Sequence, residues 1–230
     1  MTYPVFCDAL SAVQWKLLSS LSEADRDRVL AATRPCSFDR GEVIVHEGDP
    51  GESLHLVRRG RLGVRVSRPS GESLTLNVLS PGDAFGELAA MGQGHRRTAS
   101  VVAFEPAETL SLSGVAFRAL CQQHPAVERL VIRLLVERVD QLSQRLIEAS
   151  YVPVDQRLFR RLSELCDIYG RGQPGTVIPL TQDDLAGLAG ASRPTVNQVL
   201  QGLYAEGVIE LGRRRLRVLD PARLRLRAAA

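Results

Sequence analysis

Between Gly41 and Leu112 the chain is built from short apolar runs, several alternating apolar with polar residues, and glycines stand between them. The runs are 42–46, 53–57, 61–66, 73–78, 100–104 and 109–112, and Gly48, Gly51, Gly60, Gly71 and Gly82 punctuate them. A period of two puts successive side chains on opposite faces, so each run reads as a strand, and glycine supplies the turns. Regular short strands with tight turns predict an antiparallel sandwich, here a small jelly roll. Residues 9–34, with Leu10, Val13, Leu17, Leu18 and Leu21 at helical spacing, predict one or two short helices ahead of it. Ser22 and Asp25 offer a cap for the second.

From residue 125 the period changes. Pro125 opens a helix, and Ile132, Leu135, Val139, Leu142, Leu146 and Ala149 follow in alternating steps of three and four. A second apolar row, Val127, Leu130, Val131 and Leu134, shares that helix. Two apolar sides need two partners: the jelly roll, and the same helix of a second subunit in a homodimer. An ordinary core helix is the alternative. Tyr151-Val-Pro153 marks a hinge. The fold class is therefore α+β, with residues 1–124 a jelly roll with N-terminal helices, 125–150 a dimerisation helix, and 151–230 a separate helical module.

That last module carries its own signals. A helix over 154–169 is ended by Gly170, and a loop, Arg171–Gly175, follows it. Thr181 caps a helix over 182–189, with Asp184 three residues later as in a capping box. After Gly190-Ala191, Ser192 caps a second helix that has Pro194 in its first turn. Val196, Val199, Leu200 and Leu203 form its apolar face; Arg193, Pro194, Asn197, Gln198 and Gln201 form its polar face. This is a helix-turn-helix pattern, and a donor-rich helix of that kind suits the major groove of DNA. Residues 208–211 and 215–218 then read as a hairpin wing whose arginines face phosphates.

Charge agrees. Residues 1–152 hold 17 basic and 18 acidic side chains, a balance of −1; residues 153–230 hold 12 and 8, a balance of +4. Arg213, Arg214, Arg215, Arg217, Arg223, Arg225 and Arg227 crowd the final 18 residues. A basic module predicts a polyanionic partner, with a solvated arginine-rich tail as the alternative.

One segment of the jelly roll has no sheet period: 82–91, followed by 96–100. It places Gly86 and Glu87 at the start of a helical turn and Arg97 and Thr98 ten residues later. Exposed amides and an arginine fork suit phosphate, and a carboxylate accepts from sugar hydroxyls. The segment fits a phosphorylated sugar, or equally a surface loop with a Glu87–Arg97 ion pair.

Phe85-Gly-Glu-Leu-Ala with Arg97-Thr-Ala99, and the 181–196 segment, resemble the CRP/FNR family of bacterial transcription regulators over about residues 10–220. The resemblance implies a cytoplasmic homodimer that binds double-stranded DNA and RNA polymerase and takes cyclic AMP as effector. It implies that Glu87 accepts the ribose hydroxyl and that Arg97 and Thr98 hold the cyclic phosphate with amides near Gly86, Leu88 and Ala99. Ser143 would reach the base. Thr181, Ser192, Arg193, Pro194, Thr195, Asn197, Gln198 and Arg213 would meet DNA, with Arg193 reading guanine. Three positions depart from the family's cyclic AMP receptors. Leu142 replaces a threonine that reads adenine, Pro194 replaces a glutamate that reads cytosine, and Gln198 replaces a second guanine-reading arginine. Another effector, or activity without ligand, therefore stays open.

Other classes fit poorly. His46, His55, His95 and His124 are scattered, with no HxH or HExxH, and no P-loop, GxSxG or dinucleotide fingerprint occurs. An enzyme is not expected. Cys7, Cys36, Cys121 and Cys166 form no CxxC pair and no cluster, so neither an iron–sulfur centre, a haem nor another metal is expected. No apolar stretch approaches the ~18 residues of a membrane span, and the first residues show no export signal.

Overall fold

A computed structural model of the 230-residue chain describes residues 13–67, 73–91 and 95–229; Cys7, Leu10 and Gly71 lie outside the described residues. By contacts the chain divides into two units, Met1–Val64 with Val78–Val139 and Arg65–Asn77 with Asp140–Ala230.

A single 3-10 turn, Lys16–Leu18, and helix α1 (Glu23–Ala31) lead in, and the Ser22 hydroxyl caps α1 by accepting from the Asp25 amide at 3.2 Å. The strands follow in chain order: β1 (Arg34–Phe38), β2 (Val43–Val45), β3 (Ser53–Arg59), β4 (Leu62–Ser67), β5 (Ser73–Leu79), β6 (Ala84–Phe85), β7 (Ser100–Ala103) and β8 (Ala107–Ser113). A short helix, α2 (Glu87–Met91), interrupts them after β6. They form two four-stranded sheets, β1-β8-β3-β6 and β2-β7-β4-β5. The pairings β1–β8, β3–β8, β3–β6 and β2–β7 are antiparallel. All six expected strands are present within a few residues. Strand β1 and the two-residue β6 have no clean alternation in the sequence, and both sit at sheet edges, where only one neighbour dictates the pattern.

Strand β3 explains how the layers stack. Leu54, His55, Leu56 and Val57 are all buried in succession, so both faces of its sheet are covered. Leu54 and Leu56 point to a cluster with Trp15, Leu18, Phe117, Val127 and Val131. On the opposite face, Val57 joins Leu62, Leu79, Phe85 and Val101. The helix α3 (Gly114–Gln123), capped by Ser113, supplies Phe117 to the first cluster and was not expected from the sequence.

Helix α4 (Pro125–Tyr151) begins at the expected proline. Its two apolar rows separate with one exchange: Val127 and Val131 are buried and Leu134 packs against the same cluster, but so does Leu135, which was expected in the other row. Ile132, Val136, Val139, Leu142 and Leu146 are exposed.

The remaining elements are α5 (Val154–Gly170), β9 (Thr176–Ile178), α6 (Gln182–Ala189), α7 (Arg193–Ala205), β10 (Ile209–Gly212), β11 (Arg215–Val218) and α8 (Pro221–Ala229). Gly170 is the last residue of α5 and not its stop; Arg171 caps it in the left-handed region at φ 52°. The wing is one strand larger than a hairpin, because β9 pairs antiparallel with β11 in the order β10-β11-β9.

The C-terminal arginines are redistributed by folding. Residues 221–229 form a helix rather than a tail, and Arg223 and Arg227 pair with Glu206 at 3.1 and 2.7 Å. Arg225 pairs with Asp167 at 2.8 Å, and Arg227 also lies over the Phe159 ring. Three of the seven arginines thus have carboxylate partners within this unit.

At the α4–α5 junction Glu148 accepts from Arg160 at 3.0 Å and from the buried Arg161 at 2.5 Å, and Glu164 takes a second arm of Arg161 at 2.9 Å. Burial pushes the Glu164 carboxyl up, and Arg161 and Arg145 oppose it. Replacing Glu148 by alanine strips a buried cation of one of two carboxylates. We expect a loss of about 2 kcal/mol in a urea denaturation series, with Glu148→Gln losing less.

Candidate functional site

The segment without sheet period folds into a cleft in the first unit. After β6 the chain turns through Gly86 at φ +89° and enters α2. Only glycine fits this turn. A Cβ there would lie 2.2 Å from Arg97 Nη1 and 2.6 Å from the Ser53 carbonyl oxygen. The close approach brings the Arg97 guanidinium under the turn. Arg97 Nη2 donates to the Ser53 carbonyl at 2.8 Å and to the Ser53 hydroxyl at 2.9 Å, and Nη1 donates to the Gly86 carbonyl at 3.5 Å.

Glu87 and Arg97 are only 8% and 6% exposed, so the surface-loop reading fails. Nor do the two form the ion pair that reading required. The partner of Glu87 is Arg138 of α4, which donates to its Oε1 at 2.6 Å. Burial pulls the Arg97 guanidinium down from its ordinary value, and the Glu87 and Asp49 carboxylates push it back. Two buried polar atoms are left over: Glu87 Oε2 accepts no hydrogen bond, and Arg97 Nε donates none. Buried polar atoms are normally satisfied, because each orphan costs about 1–3 kcal/mol.

Both atoms belong to residues lining one cleft, together with Phe85, Gly86, Leu88, Thr98, Ala99 and Arg138. A cleft with a few convergent polar groups suits a small ligand. An acceptor-only oxygen fits a donor such as a sugar hydroxyl; an N–H of a cation fits an anionic oxygen. Six of the seven expected ligand residues, Gly86, Glu87, Leu88, Arg97, Thr98 and Ala99, are thus brought together. Ser143 is exposed on α4 beyond Val139, in the second unit, and does not line the cleft. Arg138 was missed: in the sequence it is one more charge beside an apolar seam, and only its distance to Glu87 reveals it.

In the second unit α6 and α7 form the expected helix pair. Leu185, Val196, Leu200 and Leu203 are buried, while Arg193, Pro194 and Gln198 are exposed. The capping box is complete, with Asp184 Oδ2 accepting from the Thr181 amide at 2.7 Å and hydroxyl at 2.8 Å. Ser192 likewise accepts from the Thr195 amide at 3.3 Å, and the two hydroxyls bond at 2.8 Å. Thr181, Ser192 and Thr195 therefore spend their hydroxyls on shaping the helices. Asn197 Oδ1 accepts from Gln182 Nε2 at 2.9 Å. Arg193 stands 3.6 Å from Asp183, an exposed pair worth little and easily exchanged. The two-residue turn of the wing, Arg213-Arg214, holds Arg214 at φ 56°, with Arg213 exposed beside it. Arg217 pairs across the wing with Glu210 at 3.5 Å.

Among the described residues no group of His, Cys, Asp and Glu is placed to hold a metal ion, and no helix is long and apolar enough to cross a membrane.

The two units thus present an anion-and-hydroxyl cleft and a winged helix-turn-helix. Residues 35–124 match the cyclic nucleotide-binding domain, and residues 156–227 match the Crp-like helix-turn-helix domain. The chain is 32% identical over 208 residues to the cyclic AMP receptor protein of Thermus thermophilus, covering 90% of this chain and 94% of that one. It is 29% identical over 198 residues to a CRP-like cAMP-activated global transcriptional regulator of Mycobacterium tuberculosis, covering 85% and 88%. Among solved structures, a CRP-family transcriptional regulator, also of Thermus thermophilus, superposes with a TM-score of 0.72 at 27% identity, covering 85% and 97%. The chain belongs to the CRP/FNR family of transcription regulators. It is a regulator and not an enzyme.

His55 lies beneath the cleft, 6% exposed, stacked on Phe85 with ring centroids 4.9 Å apart. Burial first, and the Arg97 charge second, lower its pKa from 6.5 to about 4. The unfolded chain therefore takes up this proton first, and folding stability falls as the pH drops from 6.5 toward 4. Between pH 7 and pH 5 we expect His55 to account for about 2 kcal/mol of lost stability. Denaturation midpoints of wild type and His55→Gln at both pH values would show it as a smaller drop in the variant.

Proposed function

We propose that this chain is a cytoplasmic, homodimeric transcription regulator whose affinity for DNA is set by cyclic AMP bound in the jelly roll. The observation that carries the effector reading is the pair of orphaned atoms, Glu87 Oε2 and Arg97 Nε, in one cleft. The ribose 2′-hydroxyl donates to Glu87 Oε2, and a cyclic phosphate oxygen accepts from Arg97 Nε. Thr98 and amides near Gly86, Leu88 and Ala99 complete the phosphate cradle. Arg138 holds Glu87 Oε1, so that the other carboxylate oxygen is left for the sugar. Ser143 reads the base. Leu142, which has no hydroxyl, favours a second reading in which selectivity between cyclic AMP and another effector is weak.

Residues 1–124, 125–150 and 151–230 are proposed as nucleotide-binding, dimerisation and DNA-binding modules. The exposed row Ile132, Val139, Leu142 and Leu146 supports the homodimer, since an apolar heptad seam left in water is costly. Nucleotide biases a two-state hinge around 150–153 and so sets the spacing of the paired recognition helices. In each subunit α7 enters the major groove. Arg193 pairs with guanine, Asn197 and Gln198 lie along the bases, and Thr181, Ser192, Pro194 and Thr195 shape or flank the phosphate approach. Arg213 of the wing meets the backbone. Bound at a promoter, such a dimer meets RNA polymerase as its protein partner.

Arg97→Ala should lower cyclic AMP affinity at least tenfold in calorimetry, because a charge-assisted contact of about 1.5–3 kcal/mol is lost. Unchanged affinity would refute the cleft assignment. Twofold symmetry predicts a near-palindromic site with half-sites about 34 Å apart. Arg193→Ala should cost about 1–3 kcal/mol on that site and relax preference at one base pair per half-site. Equal weakening on every duplex in a shift assay would make Arg193 a phosphate contact instead.

A further inference from the structure

We propose that His55 is a positioning residue for nucleotide binding: through Ser53 it fixes the Arg97 guanidinium, and by stacking on Phe85 it fixes the wall of the cleft. The proposal rests on the assignment of that cleft to a cyclic nucleotide.

The geometry is a chain of three hydrogen bonds. Arg97 Nη2 lies 2.9 Å from the Ser53 hydroxyl, which lies 3.1 Å from His55 Nε2; His55 Nδ1 lies 3.1 Å from the Thr109 hydroxyl. One direction follows from donor counts. A guanidinium has no acceptor, so Ser53 Oγ accepts from Arg97. The one hydroxyl hydrogen of Ser53 is then free to donate, and we give it to the Nε2 lone pair of His55. That assigns the ring proton to Nδ1, which donates to Thr109. A lowered pKa, near 4, agrees with a neutral ring. Thr109 is fully buried on β8 and β8 pairs with β3, so the far end of the chain is anchored in the sheet. The ring itself lies 9° from parallel to Phe85 on the neighbouring strand, and Phe85 lines the cleft. Arg97 projects from a segment outside the regular strands, between Arg96 and Thr98, and needs a rigid anchor. The Ser53–His55–Thr109 chain ties it to the central sheet.

The test measures affinity of the full-length protein for cyclic AMP, with cyclic GMP in parallel. His55→Phe keeps a ring on Phe85 and removes both hydrogen bonds; about a tenfold loss is expected. His55→Gln places an acceptor near the Nε2 position and should recover to within about threefold. Because His55 acts through Ser53, His55→Phe should cost little further in a Ser53→Ala background, whereas a merely structural role would add its full loss. Long-range proton–nitrogen spectra of the wild type should show the neutral Nδ1–H tautomer at neutral pH. Wild-type affinity in His55→Phe, full additivity with Ser53→Ala, or the Nε2–H tautomer would each overturn the proposal. If His55→Phe does not fold, the Gln variant, the Ser53→Ala loss and the tautomer decide it. Failure of the underlying assignment is separable: the wild type would bind neither nucleotide, or Arg97→Ala would bind as tightly as wild type.

Discussion

A guanidinium buried beneath a glycine turn is the constraint from which the nucleotide-binding unit follows. Taking Arg97 out of water is expensive, and its partners must be in place before a ligand arrives. The backbone supplies two of them, the carbonyls of Ser53 and Gly86, and the Ser53 hydroxyl a third. This arrangement requires the chain to pass close at Gly86, which excludes any side chain there. It also leaves Nε buried with no hydrogen-bond partner in a residue that lines the cleft. Glu87 repeats the device with opposite charge: Arg138 holds one oxygen and the other is buried without a hydrogen-bond partner.

The second unit solves a different electrostatic problem. It carries the chain's positive excess, and unpaired arginines in a small domain repel one another. Folding divides them. Arg217, Arg223, Arg225 and Arg227 are each matched to Glu210, Glu206 or Asp167 within the unit. Arg193 and Arg213 remain exposed at the recognition helix and the turn of the wing. Surface pairs such as Arg193–Asp183 add little stability, so exchanging them for a phosphate or a base edge costs little. Asp184 caps α6 through Thr181.

The two halves of the candidate function differ in how they can be read. The helix-turn-helix is local: caps, a turn glycine and an apolar face all lie within 181–205, so spacing alone reveals it. The candidate nucleotide cleft is assembled from β6, α2, the 97–99 segment and α4, and its deciding contacts join residues dozens of positions apart. Gly86, Glu87 and Arg97 were legible because their motif is compact. Arg138 and His55 were not, since a lone arginine on a helix and a histidine in a strand have no spacing that marks them.

By itself the sequence determined the order of elements, because periods of two and of three to four residues, with glycine, proline and capping residues between, act over a few positions. It set α4 from Pro125, both helix-turn-helix caps and the six main strands in this way. Tertiary structure alone decided which charges are satisfied at home. Sequence showed seven arginines crowded at the C-terminus; packing of α8 took three of them for Glu206 and Asp167. Sequence offered a Glu87–Arg97 pair; packing of α4 gave Glu87 to Arg138 and left Arg97 to the backbone. Periodicity is a property of neighbours along the chain, whereas the partner of a charge is chosen by proximity in space and by the cost of leaving it dry and unpaired.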